Sequence, residues 1–177
     1  MGRSSASILM NSKTLLRIRS STFPGLALAL GLFLAGDCLA QQNKELTEGE
    51  LVEYRPGDPA LTKKVWNQFY AGDDESELPK PLIAAGKKMV PDICAAIAHP
   101  DMKMRRYAMT ALGEIGDKAA LPALESILKD KKELGYMRGD ALYAIHKIDK
   151  ALGVKYAKEF GPADEYLKMV ADEILVK

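Results

Sequence analysis

Two cysteines and two histidines are all that this chain of 177 residues contains. So few thiols exclude a disulfide-rich scaffold and a four-thiolate zinc site. Neither sign of charge dominates: 25 Lys+Arg stand against 24 Asp+Glu, which removes the electrostatic basis for a dedicated nucleic-acid binder. No apolar run reaches the roughly 20 residues that a membrane-spanning helix needs. The motifs of common catalytic sites are missing too: there is no His-Glu-x-x-His, no Cys-x-x-Cys, no glycine-rich phosphate loop and no Gly-x-Ser-x-Gly elbow. No Asn-Gly or Asp-Gly hairpin turn occurs, and beyond residue 79 nothing alternates as a half-buried strand would. What is present is 47% apolar, enough for a packed core and against wholesale disorder.

The first forty residues read as an export signal. Arg3, Lys13, Arg17 and Arg19 precede the first acid, Asp37, and an apolar run spans 23–36. Cys38 and Ala40 supply small residues at the −3 and −1 positions, so cleavage is expected after Ala40. A lipid anchor on Cys38 would follow Ala35-Gly36-Asp37, whose acid fits that processing poorly, so soluble export to a periplasm or beyond is the expectation. Removal of 1–40 leaves 21 basic and 23 acidic residues, a net charge of −2. It also leaves Cys94 as the one cysteine, without an internal disulfide partner. Its apolar helical surroundings suit a buried, inert thiol.

Residues 41–57 are polar and turn-rich and read as a flexible tail. Asp58-Pro59 then starts a helix, with an N-cap acceptor followed by a proline whose missing N–H costs nothing there. Leu61, Val65, Trp66, Phe69 and Tyr70 recur at spacings of three and four up to Gly72. Further helical periods fall near 79–86, 88–98, 102–115, 118–129, 136–148, 151–160 and 163–176. Short helices joined by shorter loops favour stacked antiparallel hairpins.

Self-similarity defines the architecture. A shift of thirty-three residues aligns Met104, Arg105, Ala108, Ala111, Leu112 and Ile115 with Met137, Arg138, Ala141, Ala144, Ile145 and Ile148. A shift of thirty-one aligns Val90-Pro91 and Ile93 with Leu121-Pro122 and Leu124. The second unit therefore holds two extra residues, expected in the loop 131–135. Fixed-period repetition of this kind signals a solenoid. The stretch from Asp101 through Gly113-Glu114-Ile115-Gly116-Asp117 to Leu124 resembles the HEAT-repeat family, in its short phycobilisome-lyase-type form, over roughly 79–160. That resemblance implies an all-α, right-handed solenoid of stacked antiparallel helix pairs whose second helices line a concave groove. The helices at 59–71 and 163–176 would cap it, making 58–177 the solenoid domain. It also implies that Arg105 and Asp117 are structural, with Arg105 pairing across the inter-repeat turn. Pro91, Pro122 and Arg138 complete the repeat signature. His146 stands where the family has glycine.

Helical register places Met104, Ala108, Leu112 and Ile115 inward. Met102, Arg106, Met109 and Thr110 then face away, and Leu142, Tyr143 and His146 take the same orientation in the second unit. Such a mixed apolar and cationic face has the composition of a protein- or peptide-binding groove; ordinary solvated surface is the alternative. The acidic run 73–77 reads as a solvated loop. Cys94, His99 and His146 share no metal-ligand spacing. The expected function is a non-enzymatic adaptor of the cell envelope, with no cofactor, metal, nucleic acid or membrane span. A lyase or accessory of the phycobilin-lyase type is the alternative, which export opposes because bilin attachment would be cytoplasmic. A HEAT-like alkylpurine glycosylase conflicts with both export and charge.

Overall fold

The computed structural model describes residues 48–176. The export signal, its cleavage after Ala40 and the lipid-anchor alternative lie outside the described residues. Among the described residues eight α-helices follow one another: α1 (Pro59–Tyr70), α2 (Lys80–Ala85), α3 (Val90–Ile97), α4 (Arg105–Ile115), α5 (Leu121–Lys129), α6 (Gly135–Ile148), α7 (Lys150–Phe160) and α8 (Glu165–Val176). Among the described residues the only β pairing is an isolated bridge between Val52 and Met102.

Side chains in the sequence set several helix starts. The Asp58 carboxylate accepts from the Ala60 N–H at 2.9 Å ahead of Pro59. Asp117 accepts from Ala119 N–H at 3.0 Å, opening a 3-10 turn that leads into α5. Asp149 accepts from Leu152 N–H at 3.1 Å at the head of α7. Each satisfies backbone donors that the first helical turn leaves unpaired. Pro91 and Pro122 sit in the first turns of α3 and α5, where a missing N–H breaks no helical bond.

The helices form two layers, as an all-α solenoid. In one, α2 packs on α4, α4 on α6 and α6 on α8; α3, α5 and α7 lie behind them as hairpin partners. Ile93, Leu112, Leu124, Leu128, Ala141, Ile145 and Leu167 are fully buried between the layers. At the start of the stack α1 packs on α2, burying Trp66, Phe69 and Tyr70. At the other end α8 completes a third hairpin with α7, and its Met169 and Val176 remain exposed.

Two expectations change. Within the expected flexible tail, residues 51–57 are pinned. Val52 N–H donates to Asp101 O and Lys103 N–H to Val52 O, both at 2.8 Å. Tyr54 stacks on His99 with centroids 3.9 Å apart, and its hydroxyl reaches the Asp101 carboxylate at 3.1 Å. Tyr70 O–H closes the strap by donating to Tyr54 O at 2.6 Å. The tail composition is polar, but the turn before α4 offers the backbone groups that fix it. The second change is at α4, which begins at Arg105 and not near 102. Met104 adopts a left-handed conformation with φ 59°, and the bridge to Val52 holds Met102 out of the helix. In the second unit Met137 is helical, so the two extra residues become an added first turn of α6 rather than loop.

Candidate partner-binding face

Two buried arginines set the spacing of the layers. Arg105 Nε–H donates to Ile97 O at 2.7 Å, and Arg138 Nε–H donates to Leu128 O at 2.9 Å. The accepting carbonyls lie in the last turns of α3 and α5, where helix dipoles leave negative partial charge and unpaired acceptors. The clamp explains why the repeat needs arginine at the head of its second helix: the fork reaches a buried carbonyl while its stem covers apolar surface. Arg105 also pairs with Glu133 of the next unit at 2.6 Å. A parallel series runs along the turns. Lys87 lies 3.9 Å from Asp117, and Lys118 lies 2.9 Å from Asp149. The Lys118 ammonium, helped by the cap bond from Leu152, holds the Asp149 carboxyl below the usual range.

The open surface of α4, α6 and α8 is a narrow strip. Arg106, Thr110 and Glu114 are its exposed positions on α4; Tyr143 and Lys147 are exposed on α6, with Tyr136 and Asp140 half-buried. Arg106 crosses from α4 to pair with Asp140. It also donates to the Tyr166 hydroxyl at 3.2 Å and lies 5.4 Å from the Tyr136 ring centroid. Tyr136 and Tyr166 meet edge to face at 6.5 Å. Farther along, Lys147 donates to Glu114 at 2.8 Å and lies 5.9 Å from the Tyr143 ring. Asp140 pushes the Arg106 pKa above its already high range, so the guanidinium is charged at every accessible pH. Beside Tyr136, Tyr166 and Met169 an open hollow of about 740 Å³ lies between the heads of α6 and α8.

Of the expected groove residues, Arg106, Thr110 and Tyr143 are exposed on this strip and His146 is half-buried at the end of α6. Met102, Met109 and Leu142 are corrected: all three belong to the core. The register assumed one inward face. A middle helix of a stacked layer is covered by its hairpin partner and by both lateral neighbours, so Met109 and Leu142 fall on flanks that α2, α6 and α8 close off. Thr110 turns its hydroxyl back to Arg106 O at 3.1 Å. Sequence reasoning missed Tyr136, Asp140, Tyr166 and Met169. Their signal was the continuation of Tyr143 backward by three and four residues to Asp140 and Tyr136.

The acidic loop is tied into its surroundings, with Glu75 bonded to Tyr107 of α4. Asp74 accepts from the Ser76 N–H and O–H at 2.9 and 2.8 Å, which lowers its pKa, and Glu77 pairs with Lys80. Cys94 is partly buried, and that burial raises its pKa, keeping it a thiol. Among the described residues no three metal-ligating side chains gather, and no helix is long and apolar enough to cross a membrane.

Stacked hairpins with a repeated arginine clamp define the class as an α-solenoid. Residues 83–155, from within α2 to the middle of α7, match the family described as HEAT repeats. No curated protein and no solved structure matches the chain.

Proposed function

We propose that this protein is a non-catalytic interaction module, an exported adaptor of the cell envelope. It binds a protein or peptide partner on the face of α4, α6 and α8. One observation carries the reading: Tyr136, Tyr166, Arg106 and the exposed Met169 converge on a strip already held by cross-helix contacts, with Tyr143 exposed farther along it. Aromatic and arginine side chains are the anchors of most interface energy, and a prefixed surface loses little conformational freedom on binding. The close packing of this layer, against the sparse contact of α3 with α5, supports a stack curved toward it. The likeness to HEAT repeats supports a protein partner. Export rests on the pattern of residues 1–40.

The test is crosslinked capture from the native envelope, read by mass spectrometry, with the double variant Arg106→Glu and Tyr143→Ala as control. One dominant partner, lost with the double variant while helical circular dichroism stays unchanged, sustains the reading. Equal capture by both proteins moves binding off this face.

A further inference from the structure

The repeat shift of thirty-three that pairs Gly113 with His146 also places Gly139 where Arg106 stands. That exchange lets the head of α8 close on the head of α6. A Cβ on Gly139 would fall 2.5 Å from Tyr166 Cδ1, and one on Gly135 would overlap the Asp164 carboxylate. Tyr166 is thereby seated edge to face with Tyr136 at 6.5 Å. Beside the two rings lies the open hollow of about 740 Å³, completed by Leu134, Met169, Asp164 and Glu165. It has room for one long side chain of a partner.

The charged groups of this lining are both carboxylates. Asp164 turns one oxygen to the Tyr166 and Leu167 N–H groups, and its negative charge remains. Glu165 is exposed, and Lys168, the one lysine of α8, pairs instead with Asp172. Elsewhere on the strip the acids are matched, Asp140 by Arg106 and Glu114 by Lys147. The rings divide in the same way. Among the described residues four cations rest on a tyrosine ring while paired with a carboxylate. They are Arg55 on Tyr70 with Glu53, Arg106 on Tyr136 with Asp140, Lys129 on Tyr156 with Glu125, and Lys147 on Tyr143 with Glu114. Tyr166 is the strip tyrosine with no cation over its ring among the described residues; Arg106 reaches its hydroxyl only. Among those residues, too, no lysine or arginine pairs with Asp164 or Glu165. A ring face and a carboxylate attract the same cation, one through its quadrupole and the other through its charge.

We infer that the hollow receives a lysine or arginine side chain of the protein partner, with its aliphatic stem on Tyr166 and Met169 and its charged end at Glu165. Charge complementarity selects this occupant: an acidic side chain would meet two carboxylates, and an apolar one would leave them unmatched. The inference rests on the partner-binding reading of the α4, α6 and α8 face and names what the partner brings to it.

Amide chemical-shift titration of the isotopically labelled protein tests it, with an end-blocked pentapeptide carrying arginine between glycines. The same peptide with lysine, and with citrulline, which keeps the shape of arginine without its charge, completes the set. The expected result is saturable shifts at Glu165, Tyr166 and Met169 with the arginine and lysine peptides, and weaker binding of the citrulline peptide. Glu165→Gln should weaken the arginine peptide about threefold, the worth of one exposed ion pair, with helical circular dichroism unchanged. Glu159→Gln, which changes an exposed acid on α7, should bind as wild type. No saturable shift, equal affinity for arginine and citrulline, or unchanged affinity in Glu165→Gln overturns the inference. Capture from the envelope separates it from the reading beneath it. A partner lost with Arg106→Glu and Tyr143→Ala but retained in full by Glu165→Gln with Met169→Ala overturns the occupant and leaves the face. Equal capture by all of these proteins overturns the face as well.

Discussion

The α3–α4 and α5–α6 hairpins use the same clamp and neutralise it differently. Arg105 and Arg138 each hold a carbonyl in the last turn of the preceding helix. Arg105 also has a carboxylate from the following unit, Glu133. The corresponding place one unit on is Asp164, whose shorter side chain accepts instead from the Tyr166 and Leu167 N–H groups at 2.9 and 3.2 Å to cap α8. Among the described residues no carboxylate pairs with Arg138. The carbonyl bond is thus the constant element of the repeat, and the ion pair is an addition that one unit has and the other lacks.

The largest test of that difference removes each arginine in turn. Arg105→Ala leaves both a buried carbonyl and the Glu133 carboxylate without their partner, and should cost about 3–5 kcal/mol in urea unfolding. Arg138→Ala leaves a carbonyl alone, for about 1–3 kcal/mol. Equal losses would mean that the Glu133 pair adds nothing to the clamp. Glu133→Gln sharpens the comparison, since it should remove most of the difference between the two arginine variants.

A second contrast lies at the glycines. Gly153→Ala sets a Cβ against the His146 backbone and should lower stability by about 1–3 kcal/mol, as overpacking does. At Gly113 the nearest atom is 3.1 Å away, and alanine's better helix propensity offsets about 1 kcal/mol of that strain. Gly113→Ala should therefore fall within about 1 kcal/mol of wild type. Thermal unfolding of the two single variants measures the gap, and a Gly113→Ala loss as large as that of Gly153→Ala would break the asymmetry.

The smallest expected effect concerns the turn ion pairs. The Asp149 carboxyl is held low by Lys118 and by its cap bond. Its contribution is complete above the ordinary carboxylate range and is lost as pH falls through the lowered folded value. Asp149→Asn should retain capping, lose a little stability at pH 7, and approach wild type as pH falls below the ordinary carboxylate range. A deficit that stays constant across that fall would show that the charge is irrelevant and that the substitution acts through the cap alone.

Much of the fold was legible because it is written at short range. The three-and-four spacing, the Asp caps and the first-turn prolines each act within a few residues, and the thirty-three-residue shift exposed the clamp arginines before any contact was seen. The strip was legible only in part. Arg106, Thr110 and Tyr143 follow from register, whereas Met109 and Leu142 were misread because lateral burial comes from helices one unit away, and Met102 because it lies outside α4, bridged to Val52. The strap at 51–57 escaped notice for the same reason, since its partners His99 and Asp101 are more than forty residues on.

By itself, then, the sequence determined the helices, several of their ends and their repeated order, since local hydrogen bonding and periodic burial encode these within each segment. The tertiary structure decided which flanks are covered, which arginine receives a carboxylate and where a cavity remains. Those depend on how closely neighbouring helices approach, and a single exchange such as Gly113 for His146 changes that distance without disturbing the helical pattern that carries it.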